Sequence, residues 1–244
     1  MEKCEEYGFA TRVIHEGQGN NPHGALATPI FMTSTFCFEN VEDGMQKFAK
    51  EKPGFVYARS GNPTTAALEA KCAAMEGGEA AMATSSGMGA ISSVILSLLK
   101  MGDHIISGNT LYGGSDFEMH QIPSYGVEVS RIDTTDLACV EAAFRQNTKM
   151  LYVETSLNPT MKVNDIKGLA KLAHQHGVIF VVDNTFTPPP MCFPIHLGAD
   201  VVVHSTTKYL NGHGDIIGGM VVTSAELMVG IRGIGLTKIC GCPA

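Results

Sequence analysis

From residue 62 onward the apolar positions of the chain fall into two alternating patterns. Short apolar runs recur at residues 80–83, 104–107, 127–132, 150–153, 178–182, 200–203 and 217–222, and segments with helical spacing lie between them. Runs this short, bounded by turn residues, predict strands, and their alternation with helices predicts βα units. The expected architecture is α/β, with a mainly parallel sheet covered by helices on both faces. Asn62 and Pro63 form a cap and first-turn pair ahead of residues 64–76, and Gly77-Gly78 ends that helix. Ile166, Leu169, Ala170, Leu172 and Ala173 make a helical stripe over 166–176, stopped by Gly177. Residues 1–61 differ. They are rich in Gly, Pro, Thr and aromatics with weak periodicity, which predicts an extended arm plus a short helix over 41–50.

At 244 residues with 44% hydrophobic content, the chain is long enough for a packed core. The apolar runs are far too short to cross a bilayer, and Met1-Glu2-Lys3-Cys4-Glu5-Glu6 offers no apolar signal core, so a cytoplasmic protein without a membrane partner is expected. The 24 acidic and 17 basic residues give a net charge of −7, and no basic cluster provides a footprint for nucleic acid. Seven scattered cysteines argue against a complete disulfide framework. His204 and His213 lack partners at metal-ligand spacing, so no metal is expected.

Chemistry is expected at strand C-termini, where doubly wound sheets build their sites. Val178-Ile179-Phe180-Val181-Val182-Asp183 ends a strand in a carboxylate, and Val201-Val202-Val203-His204-Ser205-Thr206-Thr207-Lys208 ends the next in an amine. An amine nucleophile and a carboxylate for a pyridinium nitrogen suit carbonyl chemistry. For either residue alone, a loop-capping Asp and a solvated Lys are the ordinary alternatives. Thr84-Ser85-Ser86-Gly87-Met88-Gly89 runs from a strand into a helix, where free N–H groups receive a phosphate, aided by the hydroxyls of Ser205 and Thr207. It has neither P-loop nor dinucleotide-binding spacing, so neither ATP nor NAD is favoured. Tyr112 can stack on a flat heteroaromatic ring, or it is a half-buried tyrosine at a helix start. Tyr57 and Arg59 pair a phenol with a guanidinium suited to phosphate, with a surface salt bridge as the alternative.

These segments together resemble the Cys/Met-metabolism family of pyridoxal-phosphate enzymes. The likeness spans nearly the whole chain from Thr11-Arg12-Val13-Ile14-His15. It is most specific at Val182-Asp183-Asn184-Thr185-Phe186, at Gly198-Ala199-Asp200 through Lys208-Tyr209, and at Asn211-Gly212-His213-Gly214-Asp215. The resemblance implies a PLP-dependent transferase fold, like the large domain of aspartate aminotransferase, with seven strands flanked by helices. It divides the chain into an arm (1–61) serving a neighbouring subunit's site and a cofactor-binding large domain (62–244). It implies pyridoxal 5′-phosphate carried covalently by Lys208, which also moves protons. Asp183 holds the pyridine nitrogen, Tyr112 stacks on the ring, and Asn158 lies by the 3′ oxygen. Ser86, Gly87, Met88, Ser205 and Thr207 receive the phosphate. Tyr57 and Arg59 reach the neighbouring subunit's phosphate, so a homodimer is the minimum unit and a homotetramer fits the family.

For activity, the resemblance implies a carbon–sulfur lyase acting on a small amino acid, with L-methionine converted to methanethiol, ammonia and 2-oxobutyrate as the first reading. Methionine γ-lyases usually carry cysteine where this chain has Gly114, and glycine there is common in cystathionine lyases. Cystathionine γ- or β-lyase and O-acetylhomoserine sulfhydrylase activities are therefore the alternatives. Family members continue into a smaller domain with an arginine for the substrate carboxylate. The chain is expected to lack that domain, which leaves a cofactor-binding protein without turnover as the alternative of another class.

Overall fold

A computed structural model describes residues 7–18, 21 and 23–239. The helices are α1 (Phe9–His15), α2 (Val41–Phe48), α3 (Pro63–Glu76), α4 (Gly87–Leu98), α5 (Gly113–Gln121), α6 (Leu137–Ala143), α7 (Ile166–Gln175) and α8 (Ala225–Ile231), the last continuing as a π-helical segment, Arg232–Ile239. The strands are β1 (Ala80–Thr84), β2 (His104–Gly108), β3 (Glu128–Ile132), β4 (Thr148–Glu154), β5 (Ile179–Asp183), β6 (Val201–Ser205) and β7 (Gly219–Thr223). They form one sheet in the order β1-β7-β6-β5-β4-β2-β3, with only β7 antiparallel to its neighbours.

The period-two alternation of the strands sends successive side chains to opposite layers. Val181, Val201, Val203 and Val221 meet α4 through Ala90, Ile91, Val94 and Ile95 on one face. On the other, Phe180, Val182 and Val202 meet α7 through Ile166, Leu169, Ala170 and Ala173, while Ala81, Ala83, Met220 and Val222 meet α3. Both layers bury near-continuous apolar strands, as a mainly parallel sheet requires. Among the described residues, no helix is long and apolar enough to cross a membrane.

The predicted helix ends agree with their caps. Asn62 Oδ1 accepts from Thr64 N at 2.8 Å, and Gly77 adopts φ +80° after α3. Two expectations fail for physical reasons. The arm is not wholly extended: α1 forms because it packs along α3, with Phe9 and Val13 on the apolar cluster that α3 shares with the sheet and Lys71 Nζ of α3 donating to Ile14 O at 2.6 Å. The last two strands are also displaced from their apolar runs. β6 continues through His204 and Ser205 because β7 pairs with them, whereas Ile216 and Ile217 precede β7 as exposed loop residues.

Candidate active site

The C-terminal ends of β1, β4, β5 and β6 open on one cavity of about 450 Å³, within the size range of small-ligand sites. At the end of β1 the chain turns into α4. The Ser86 hydroxyl caps that helix by accepting from Gly89 N at 3.0 Å, and the first-turn N–H groups of Gly87 and Met88 lie beyond the reach of helical acceptors. A Cβ on Gly87 would come within 2.6 Å of Ser205 Cβ. Glycine is thus what lets the start of α4 approach the end of β6. Thr207 closes the same corner, its hydroxyl donating to Gly218 O at 3.2 Å and accepting from Gly218 N at 3.1 Å.

Asp183, at the end of β5, is 8% exposed. Its Oδ1 accepts from Thr185 N (3.0 Å) and the Thr185 hydroxyl (2.5 Å), and its Oδ2 accepts from the Tyr152 phenol at 3.3 Å. Burial pushes its pKa up, against the lowering effect of the Thr185 bonds and of His204. No lysine or arginine among the described residues pairs with it. Tyr152 is fully buried, and burial, with Asp183 nearby, raises its pKa well above the usual phenol value.

Glu154, at the end of β4, accepts from Tyr112 N at 2.6 Å on one oxygen and from Asn158 N at 3.1 Å on the other. Burial pushes its carboxyl up to about 7, with Asp183 adding to the rise and the two N–H donors opposing it. On the far face of the sheet, behind Asp183, Glu76 forms a fully buried pair with His204. Asn184 Nδ2 donates to the same Glu76 oxygen at 3.2 Å, and the hydroxyls of Thr155 and Thr187 each donate to Asn184 Oδ1 at 2.8 Å.

Of the residues singled out in the sequence, Ser86, Gly87, Met88, Tyr112, Asn158, Asp183, Ser205, Thr207 and Lys208 all line this cavity. Tyr112 immediately precedes α5 and is 48% exposed. Gly114 lies against it: a Cβ there would sit 2.6 Å from Met88 Sδ and 2.7 Å from Tyr112 Cε1. Tyr57 and Arg59 are not brought to the cavity. They border a separate surface hollow with Glu69 and Arg232, the Arg59 guanidinium lying 5.5 Å from the Tyr57 ring centre and donating to Thr237 O at 2.8 Å. No arginine lines the cavity among the described residues.

Sequence reasoning missed Glu154 and Tyr152. Glu154 ends an apolar strand just as Asp183 does, so the same strand-ending carboxylate signal was present in Leu151-Tyr152-Val153-Glu154. Tyr152 gives no such signal, because a tyrosine inside an apolar run reads as core.

Curated relatives match almost all of this chain. The L-methionine gamma-lyase of Fusobacterium nucleatum subsp. polymorphum is 50% identical over 98% of this chain and 61% of its own length. That of Porphyromonas gingivalis is 51% identical over 96% of this chain and 59% of its own. The chain therefore spans about 60% of the length of these relatives. An O-succinylhomoserine sulfhydrylase of Pseudomonas aeruginosa is 40% identical over 94% of this chain and 57% of its own. Among solved structures, metB from Corynebacterium glutamicum superposes with a TM-score of 0.89 at 38% identity, covering 96% of this chain and 60% of that one. Cystathionine gamma-lyase from Lactobacillus plantarum gives 0.85 at 40% identity, covering 94% and 58%. With its residues 10–234 matching the model of the Cys/Met metabolism PLP-dependent enzymes, the chain belongs to that family.

Proposed function

We propose that this chain carries the cofactor-binding half of a cytoplasmic carbon–sulfur lyase that converts L-methionine to methanethiol, ammonia and 2-oxobutyrate. The observation that carries the reading is the convergence of Lys208, Asp183, Tyr112 and Asn158 with the start of α4 on one cavity. The residues fit pyridoxal 5′-phosphate. The glycine cradle at Gly87, with the Ser205 hydroxyl and with Thr207 lining the same wall, suits a phosphate. Asp183 is a buried carboxylate, raised in pKa and without a cationic side chain bonded to it, which suits a protonated ring nitrogen.

When bound, the cofactor supplies an electron sink for bonds broken next to an amino group. The chain's own residues supply the rest. Among the described residues the Lys208 amine has no hydrogen-bond or ion-pair partner, which leaves it available to carry the cofactor and to take the proton from the substrate's α-carbon. Thr185 and Tyr152 hold the Asp183 carboxylate in place at the wall of the cavity. Tyr112, which lines the cavity with its phenol exposed, would stack on the cofactor's ring and would pass a proton to the leaving sulfur. Tyr57 and Arg59 serve the phosphate of a second copy, which makes a homodimer the working unit.

Gly114 favours a second reading, cystathionine as substrate, because no side chain there displaces Met88 or Tyr112. Assays of 2-oxobutyrate release from methionine and from cystathionine, with O-acetylhomoserine plus sulfide as a third arm, test the proposal. Release of methanethiol with 2-oxobutyrate from methionine supports it. Turnover of cystathionine alone transfers the assignment to the second reading, and homocysteine formation alone overturns both.

A further inference from the structure

Glu154 is used by none of the roles above, yet its contacts tie the cavity together. Its two carboxylate oxygens are spent on two main-chain N–H groups from different loops, Tyr112 N at 2.6 Å and Asn158 N at 3.1 Å. Tyr112 opens α5 from the loop after β2, and Asn158 follows β4. No other bond among the described hydrogen bonds joins these two loops through a single side chain. Glu154 is itself anchored from behind, its main-chain carbonyl accepting from Asn164 Nδ2 at 2.7 Å. It is 5% exposed.

The geometry points to Glu154 as a positioning residue whose ionised carboxylate clamps the Tyr112 and Asn158 loops on either side of the cofactor, and whose protonation releases one of them. This rests on the proposed placement of pyridoxal phosphate between Tyr112 and Asn158. A carboxylate has acceptor sites on both oxygens and serves two donors at once; a carboxylic acid has one O–H, which faces an N–H and repels it. Protonation by solvent therefore converts a two-point clamp into a one-point contact. The titratable groups that interact with Glu154 are Asp183 from β5 and, two residues back on its own strand, Tyr152, while Lys208 and Tyr112 line the same cavity. Burial and the Asp183 charge raise its pKa to about 7, so the release falls in the physiological range rather than in acid.

The test uses the whole chain, without added cofactor, labelled with 15N at tyrosine and asparagine. Amide NMR signals of Tyr112 and Asn158 are followed from pH 5.5 to 8.5 in the wild type, in Glu154→Gln and in Glu154→Asp. The inference predicts that both amides titrate together with one midpoint near 7, that the titration disappears in Glu154→Gln, and that Glu154→Asp moves the midpoint. It further predicts that in the cofactor-loaded protein Glu154→Gln lowers kcat roughly tenfold, with little change in KM, and removes the pH limb near 7. Flat amide signals in the wild type, or a titration that survives in Glu154→Gln, overturn the clamp. If Glu154→Gln fails to fold, the wild-type and Glu154→Asp titrations decide the matter alone. Borohydride labelling of the same samples reads the cofactor site separately: a label away from Lys208 overturns the proposed function whatever the amides show.

Discussion

The strand ends and the N-terminal stretch both carry residues matched to one chemistry, but only the strand ends bring theirs together within one chain. Lys208, Asp183, Tyr112 and the Gly87 turn meet because the sheet places the C-terminal ends of β1, β4, β5 and β6 side by side. Tyr57 and Arg59 instead stack on each other at a separate hollow. Nearby in sequence, Leu26, Ile30 and Met32 are 84%, 77% and 93% exposed. The contrast separates a site made by sheet geometry from two residues that the fold of a single chain leaves away from it.

The largest expected effect breaks the sheet-built half: Lys208→Ala lowers methionine turnover at least about 10³-fold, measured as 2-oxobutyrate release. Next, Glu76→Ala leaves buried His204 Nε2 and Asn184 Nδ2 without their shared acceptor and costs about 1–3 kcal/mol for each, read from urea unfolding. A smaller effect is a dependence on pH. Because Glu154 is raised from 4.5 to about 7, the folded chain holds that proton more tightly than the unfolded one. Its contribution to stability is fully present below pH 4.5 and is lost as pH rises through 7. Relative to wild type, Glu154→Gln therefore gains about 3 kcal/mol between pH 4.5 and 8, seen in unfolding curves across that range.

The arm gives the smallest effect on folding and the sharpest test of the contrast. Arg59→Ala is expected to shift stability by under about 1 kcal/mol while lowering turnover roughly 10²-fold. Mixing equal amounts of Arg59→Ala and Lys208→Ala chains then restores one of the two sites in each mixed dimer, roughly a quarter of all sites after random exchange. No recovery on mixing places Arg59 outside the phosphate site of a partner.

How far the sequence could be read follows the same division. The apolar runs at 178–182 and 200–203 announced β5 and β6 and placed Asp183 and Lys208 at their ends, because strand period and burial are local properties. The antiparallel return of β7 was not legible, since nothing in its apolar run encodes direction. The α1 helix was missed because its stability comes from packing along α3, with Phe9 and Val13 on a shared apolar cluster, a tertiary effect. Glu154 was legible by the rule that found Asp183 and was passed over. Its distinguishing property, two N–H donors from distant loops, exists only once the chain is folded.

The central claim is that the amine at the end of β6 carries the cofactor. Loading the protein with pyridoxal phosphate, reducing with borohydride and mapping the modified peptide by mass spectrometry tests it most directly. The account predicts a single pyridoxyl group on Lys208 of the His204-Ser205-Thr206-Thr207-Lys208 segment. Attachment to any other lysine, or none at saturating cofactor, contradicts it.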